Sequence, residues 1–260
     1  MSSKKYNSKT QRPSSVVGTV TENTTTDNPI MMMSDVRTYV INLKRRRDRL
    51  ESFLKRIPLD TSKVIKFEAV DGKYLPQIRA CIPTYFQGRL PGEVGCFLSH
   101  KRLWEKILQD EDCDYSMVFE DDVKFSTVFV EKFHHVLNDL NGKISEFDTI
   151  LYIGGRFIED FKMRNSTKVT DNIVKFDYGA SWSSWDCDRT THAYIISKRF
   201  CQLLLNEFHK RLQIPGFQFP PVDHYIMQIL RLNKKEILHT YPLLCYSDLD
   251  SESDIGLPLR

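Results

Sequence analysis

Short runs of apolar residues alternate with amphipathic segments along most of this chain. Runs of β-branched and aromatic residues favour strands, whereas apolar residues recurring every three or four positions favour helices. The pattern predicts strands at 38–43, 64–70, 115–119, 149–153, 193–197 and 237–246. It predicts helices in the charged segment that ends near residue 56 and at 91–108, 128–140, 198–209 and 223–232. Strands that alternate with helices indicate an α/β fold with a mostly parallel central sheet flanked by helices.

The first 33 residues do not share this periodicity. They are rich in Ser, Thr, Asn and Lys, and such a segment buries too little apolar surface to offset the entropy lost on ordering. We therefore predict a disordered tail at 1–33 and a single folded domain at 34–260.

Composition and charge limit the kinds of partner. The 260 residues carry a formal net charge of only +3, although a basic run stands at 44–47. A long polyanion normally requires a basic face, so the run is better interpreted as a solvated helix start and no nucleic-acid partner is expected. No stretch approaches the ~18 apolar residues of a membrane span, and the N-terminus lacks the apolar core of a signal peptide. We therefore expect a cytoplasmic location and no integral membrane segment.

The cysteines show no CxxC pair and no zinc-ligand spacing. There are six of them: Cys81, Cys96, Cys113, Cys187, Cys201 and Cys245. We predict that they are reduced and mostly buried.

Three consecutive acidic residues, Glu120, Asp121 and Asp122, follow the apolar run at 115–119. In α/β sheets, ligands gather beyond the carboxyl ends of the strands. Carboxylate oxygens suit hard divalent ions, and an ion held by few protein ligands can also take phosphate oxygens from a substrate. The sequence therefore predicts a cation site here. The alternative is that Asp122 caps the helix predicted at 128–140.

Several motifs occur in order along the chain: VINLKRRRDR at 40–49, AVDG at 69–72, PGEVGCFLSH at 91–100, VFEDDV at 118–123, THAYIIS at 191–197, PVDHY at 221–225, PLL at 242–244 and SDI at 253–255. Together they resemble glycosyltransferase family 25, over about residues 36 to 256. The resemblance implies a GT-A fold, a UDP-sugar donor (UDP-galactose or UDP-glucose first) and inversion at the anomeric carbon. It also implies a glycan or a hydroxylysine side chain as the acceptor.

The same resemblance assigns roles to the acidic residues. Glu120 and Asp122 resemble the Asp-x-Asp cation site of GT-A enzymes, which implies bound Mn²⁺ or Mg²⁺ with Asp122 as the direct ligand. The departure from Asp-x-Asp leaves open which carboxylate touches the metal and which one holds the ribose. One or two carboxylates rarely complete the coordination sphere of a divalent cation, so we predict a further ligand, Asp254.

Inversion requires a general base on the face of the transferred sugar opposite UDP. Asp223, at the start of a predicted helix, is the first candidate for this base. Its alternative role is a helix cap, and a helix N-terminus would stabilise the carboxylate and weaken it as a base. His224 and Asp188 are the other candidates.

The remaining candidates would bind the donor. A helix N-terminus after Leu43 can present amide donors to a diphosphate, together with Arg47 or Arg49. Asp71 is predicted either to accept from uracil or ribose or to form a simple turn, and each histidine either lines the site or packs in the core. The full predicted set is Asn42, Leu43, Arg47, Arg49, Asp71, Gly72, Ser99, His100, Glu120, Asp121, His192 and Ser253.

Other classes of protein remain open at this point. A catalytically inactive nucleotide-sugar or glycan-binding module of the same fold would lack turnover. A nucleotidyltransferase also uses paired acids and a cation, but it would release pyrophosphate rather than UDP. Product analysis separates these alternatives.

Overall fold

The structure is a computed structural model that describes residues 36–74, 84–141, 147–155, 166–176 and 190–247. The predicted tail at 1–33 and the candidates Asp188, Ser253 and Asp254 lie outside the described residues. Within those ranges, no helix has both the length and the apolar character required to cross a membrane.

The five predicted helices occur in the predicted order, and the described strands include short ones that the hydrophobic pattern does not predict. The strands are β1 (Arg37–Asn42), β2 (Val64–Glu68), β3 (Tyr115–Glu120), β4 (Val123–Phe125), β5 (Ile150–Tyr152), β6 (Gly154–Gly155), β7 (Ser166–Lys168), β8 (Ile173–Phe176), β9 (Ala193–Ser197), β10 (Leu238–Thr240) and β11 (Cys245–Ser247). The helices are α1 (Arg47–Arg56), α2 (Pro91–Gln109), α3 (Phe129–Asn141), α4 (Lys198–Leu212) and α5 (Val222–Leu232).

The main sheet has the strand order β2-β1-β3-β9-β5-β10-β8-β7. Strand β1 runs parallel to β2 and β3, and β10 runs parallel to β5. The other four pairings are antiparallel, because β9 lies reversed between β3 and β5, and β8 lies reversed between β10 and β7. The α/β class is confirmed, but the expectation of a mostly parallel sheet is wrong among the described strands. Helical crossovers keep β1, β2 and β3 parallel, whereas no crossover helix separates β8 from its neighbour β7.

A second, smaller sheet has the order β4-β11-β6. The sequence predicts one closing strand at 237–246, and this prediction is wrong, because β10 belongs to the main sheet and β11 to the small one. Pro242 lies between them and has no N–H to donate to a sheet ladder, which favours a break at this point.

Helices cover both faces of the main sheet. Side chains alternate between the faces of a strand, and on β9 Tyr194 and Ile196 pack into the apolar core beneath α2, α4 and α5. Ala193 and Ile195 face the opposite core, which α1 and α3 cover. The two cores pack against opposite faces of the sheet and hold it between layers of helices.

Several of the predicted polar residues lie together at one end of the central strands. Ile41 of β1 pairs with Glu120 of β3, and Phe119 pairs with Ala193 of β9. Because β9 is antiparallel to β3, its amino end lies beside the carboxyl end of β3. His192 therefore stands next to Glu120, whose N–H donates to the His192 carbonyl at 2.8 Å.

Candidate active site

Three side chains from two adjacent strand ends form a possible metal-binding group. One ligand atom from each of Glu120, Asp122 and His192 lies within 4.8 Å of the others. The Oδ1 of Asp122 and the Nδ1 of His192 are buried and have no hydrogen-bond partner among the described residues. Buried polar atoms normally have partners, so their presence here fits a ligand that completes the group. Carboxylate oxygen with imidazole nitrogen is a donor set that Mn²⁺ accepts.

Glu120 is held in place by two neighbours. Its Oε1 accepts from the Thr191 hydroxyl at 2.6 Å and lies 3.2 Å from Nε2 of His100. Burial would raise the pKa of Glu120, but the hydrogen bond from His100 and the charge of His192 outweigh it and lower the pKa. The carboxylate is therefore ionised and oriented before any ligand arrives.

The surroundings of Asp122 stabilise the charged carboxylate less than those of Glu120 do. Burial and the neighbouring charge of Glu120 raise its pKa, against the opposing effects of His192 and Arg49. The predicted alternative role as a cap is wrong, because strand β4 follows Asp122 directly and α3 begins only at Phe129. One oxygen of this half-buried carboxylate faces Arg49, whereas the other, Oδ1, is buried without a hydrogen-bond partner among the described residues and is free to bind a ligand.

Asp121 points away from this group towards β1 and α1. It accepts from Nδ2 of Asn42 at 2.6 Å, and Nη1 of Arg49 lies 3.3 Å from it. Burial raises the pKa of Asp121 to about 6, although the Asn42 hydrogen bond lowers it. Arg49 also lies 3.7 Å from Asp122, so this guanidinium spans both carboxylates. Binding of the sugar donor by Asn42, Arg49 and Asp121 stays a prediction. Their contacts with one another hold the turn after β3.

The segment after β2 is tied to α2. The Val70 N–H donates to Oγ of Ser99 at 2.8 Å, and Ser99 donates to the Gly95 carbonyl at 2.7 Å. A Cβ on Gly72 would lie 2.1 Å from the Pro91 carbonyl oxygen, so only glycine fits there. The observed contacts of Ser99 and Gly72, both predicted to bind donor, therefore join two elements.

Asp71 and the start of α1 form the rim beside that segment. Asp71 accepts from the Lys73 N–H at 3.0 Å, as in the predicted turn, and pairs with Nε of Arg45 at 2.6 Å. Helix α1 begins at Arg47 without a side-chain cap, which leaves its first amide groups available. Arg47 is exposed and Leu43 is half-buried.

Asp223 lies in the first turn of α5, and the N-cap there is Pro221. Its predicted alternative as a cap is therefore wrong. Its carboxylate accepts from the His224 N–H at 2.8 Å, and His224 is exposed. Burial raises the pKa of the Cys96 thiol, and the charges of Glu120, Asp223 and Asp122 raise it further. The charge of Asp223 therefore acts on the same thiol as the charges of Glu120 and Asp122.

Cys96 is a residue beside the site that the sequence analysis did not predict. Its Sγ forms a second group with His100 and Glu120, and the three ligand atoms lie within 4.8 Å of one another. Cys96 and His100 are four positions apart on α2, so they share a helix face. This spacing is the sequence feature from which a role for Cys96 beside His100 could have been predicted. Of the four described cysteines, Cys201 and Cys245 are buried, whereas Cys96 and Cys113 are half-buried, and all four are free thiols.

Comparison with known proteins identifies relatives of this chain. Procollagen galactosyltransferase 1 of Danio rerio is 30% identical over 226 residues, which is 78% of this chain and 36% of that protein. Procollagen galactosyltransferase 2 of Homo sapiens is 31% identical over 192 residues, 69% of this chain and 29% of that protein. Procollagen lysyl hydroxylase and glycosyltransferase of Acanthamoeba polyphaga mimivirus is 30% identical over 209 residues, 72% of this chain and 21% of that protein.

The chain spans about a third or less of the length of these curated relatives. A family model described as "Glycosyltransferase family 25 (LPS biosynthesis protein)" matches residues 35–226, which include the acidic residues after β3, His192 and Asp223. The match covers most of the chain and agrees with the resemblance carried by the motifs. This chain therefore belongs to glycosyltransferase family 25.

Proposed function

We propose that this chain is a cation-dependent glycosyltransferase that moves a hexose from a UDP-sugar to an acceptor hydroxyl with inversion, on a fold of the GT-A type. The observation that carries the proposal is the convergence of Glu120, Asp122 and His192, with two buried ligand atoms that have no partner among the described residues. Family membership supports the reaction class, and galactose is the first donor sugar to test because two relatives are named galactosyltransferases.

Glu120, Asp122 and His192 would hold the cation. When bound, a Mn²⁺ or Mg²⁺ ion neutralises the negative charge that develops on the departing diphosphate. The protein residues orient this site in advance: Thr191 and His100 fix Glu120, and Arg49 lies between Asp121 and Asp122. The proposed third ligand is thus His192, with Asp254 as a further candidate outside the described residues.

Asp223 is the proposed general base. It would accept the proton of the acceptor hydroxyl while that oxygen bonds to the anomeric carbon and the bond from this carbon to the UDP oxygen breaks. The products are the inverted glycoside and UDP. Its electrostatic effect on Cys96 supports a position near the acidic residues, and the exposure of His224 favours Asp223 over that neighbour.

The acceptor is proposed as a hydroxylysine side chain or a glycan. The names of the relatives refer to procollagen, and the family description refers to lipopolysaccharide biosynthesis. Both acceptors present a hydroxyl to the same base, so the donor is the better starting point for an assay.

The test is UDP release from a panel of UDP-sugars, with Mn²⁺ or with a chelator, because slow hydrolysis reveals the donor without the acceptor. We expect cation-dependent release from one donor, UDP-galactose or UDP-glucose. Release of pyrophosphate would instead indicate a nucleotidyltransferase. UDP binding without turnover, even with hydroxylysine peptides and glycan acceptors, would favour the inactive binding module.

A further inference from the structure

The second ligand group at the site differs chemically from the first. Cys96 and His100 project from the same face of α2, and Glu120 approaches them from the end of β3. Their ligand atoms lie within 4.8 Å of one another. The Thr191 hydroxyl holds the Glu120 carboxylate of this group by donating to it at 2.6 Å.

The His100 ring is already oriented for a metal. Its Nδ1 lies 2.8 Å from the hydroxyl of Tyr194, and its Nε2 faces Glu120 at 3.2 Å. When Nδ1 carries the proton and donates to Tyr194, the lone pair of Nε2 points into the group. Metal-binding histidines usually have such a partner on the other ring nitrogen. The ring is also buried, which restricts its rotation.

The donor atoms of the two groups suit different ions. Thiolate sulfur, imidazole nitrogen and one carboxylate oxygen form a set that Zn²⁺ and Cd²⁺ favour, with three protein ligands and an open position. The group of Glu120, Asp122 and His192 contains two carboxylates and no sulfur, which suits Mn²⁺ better. Glu120 belongs to both groups, so an ion at one position competes for the carboxylate required at the other.

We propose that Cys96, His100 and Glu120 form a second, thiophilic cation site, and that Zn²⁺ bound there inhibits the enzyme by engaging Glu120. On binding, the bond between sulfur and hydrogen of Cys96 breaks, a bond between sulfur and zinc forms, and the proton leaves to solvent. The Nε2 proton that His100 shares with Glu120 leaves to solvent, and Nδ1 takes up a proton that it donates to Tyr194. The lone pair of Nε2 and the Glu120 carboxylate then bind the ion. The binding half of this proposal stands without the proposed function, whereas the inhibition half rests on it.

The binding test uses the full chain and Cd²⁺ as a probe, because cadmium thiolates give a charge-transfer absorption in the near ultraviolet. We expect Cys96→Ser to lose this band and to bind Zn²⁺ at least tenfold more weakly. Cys113→Ser, which removes another half-buried thiol, is the matched control and should keep both. Equal Cd²⁺ spectra and Zn²⁺ affinity in wild type and Cys96→Ser would overturn the proposal.

A second measurement avoids the question of whether Cys96→Ser folds. Zn²⁺ should slow the alkylation of Cys96 in the wild-type protein at least tenfold, as measured by peptide mass spectrometry, while the alkylation rate of Cys113 stays unchanged. Equal alkylation of Cys96 with and without Zn²⁺ would contradict the site.

The inhibition half is tested with Zn²⁺ against UDP release at saturating Mn²⁺. Cys96→Ser should require at least tenfold more Zn²⁺ for half inhibition than Cys113→Ser. Zn²⁺ inhibition that is equal in the two variants would overturn the inhibitory role. Absence of UDP release from every donor would count against the proposed function alone, since the Cd²⁺ and alkylation results do not depend on turnover.

Discussion

At the scale of single residues, Asp122 combines a cost in folding with a proposed role in binding. Its half-buried carboxylate lies near Glu120, and its pKa is raised, so the charged form is disfavoured in the fold. We expect Asp122→Asn to lower Mn²⁺-dependent UDP affinity at least tenfold, or about 1.4 kcal/mol. Without metal, the free energy of unfolding should stay unchanged or rise, because the substitution removes a repulsion between like charges.

Calorimetric UDP titration and urea unfolding check both parts of this prediction. Asp171→Asn is the control, because Asp171 is an exposed residue of the turn between β7 and β8 and should alter neither quantity. A folded Asp122→Asn protein with undiminished Mn²⁺-dependent UDP affinity would remove Asp122 from the proposed cation site.

Asp223 should affect the chemical step alone. Asp223→Asn preserves the shape of the side chain and its position in the first turn of α5 but cannot accept the proton of the acceptor. Base catalysis typically contributes about 10²–10⁴-fold, so we expect kcat for transfer to fall by about that factor while UDP affinity is retained. His224→Gln, at the exposed neighbouring position, should keep normal transfer. Full transfer by Asp223→Asn would place the base elsewhere, with Asp188 the next residue to test.

At the scale of elements, the contact between Gly72 and α2 depends on the absence of a side chain. In Gly72→Ala, the new Cβ would meet the Pro91 carbonyl oxygen at 2.1 Å, and this backbone atom cannot rotate away. We expect a loss of about 2–4 kcal/mol in the free energy of unfolding, typical of severe overpacking. Gly216→Ala is the comparison, because Gly216 has a φ of +74° but no atom near its Cβ position. It should lose only about 1 kcal/mol, from backbone conformation alone.

Urea denaturation at neutral pH measures both glycine variants. Losses of about 1 kcal/mol in both variants would show that the Pro91 backbone can move aside and that its approach does not require glycine at position 72.

Asp110 joins α2 to the main sheet at the end remote from the site. Its buried carboxylate accepts from the Tyr39 hydroxyl and pairs with Arg37 at 3.0 Å and Lys106 at 2.7 Å. Burial opposes ionisation, but the bonds from Lys106, Tyr39 and Arg37 outweigh it and lower the pKa of Asp110. A lowered pKa means that the stabilisation is present above the unfolded-state value of about 4 and is lost as the pH falls below it.

We therefore expect Asp110→Asn to reduce the free energy of unfolding by about 1–3 kcal/mol at pH 7. This difference from wild type should shrink as the pH is lowered below about 4. Urea unfolding over this pH range measures it. Asp112→Asn is the control, since Asp112 is exposed and its ion pair with Arg37 at 3.4 Å is a surface one. A difference that grows in acid would show that the pKa of Asp110 is raised instead.

The hydrophobic pattern predicts the longer helices and strands well. The strand predicted at 193–197 is observed as β9 with the same bounds, and the helix predicted at 223–232 differs from α5 by one residue. Strands β4, β6, β7 and β8 were missed because each has only two to four residues, too few for a period to show. Strand direction was also beyond the pattern, since a reversed strand such as β9 has the same alternation of side chains as a parallel one.

At the scale of the whole molecule, the site could be predicted where the chain order itself brings residues together. Glu120 and Asp122 are separated by one residue, so the acidic motif alone identified them. His192 and Cys96 join them only through the pairing of β9 with β3 and the packing of α2 against the sheet, contacts that span many residues of sequence. His192 was included because it directly precedes the strand predicted at 193–197, whereas Cys96 required the three-dimensional arrangement.

Because the site draws on β1, β3, β9 and α2, a ligand bound there should stabilise the fold as a unit. A ligand that binds only the folded state adds about 2.7 kcal/mol at 100 times its dissociation constant. For a chain of this size, that corresponds to a rise in Tm of about 5–10 °C. We expect this rise with UDP and Mn²⁺ together, little change with UDP and a chelator, and no joint effect in Asp122→Asn. Asp171→Asn should respond as wild type does. A rise with UDP that persists in chelator would show that the nucleotide binds without a cation, and it would redirect the role of Glu120, Asp122 and His192 away from metal binding.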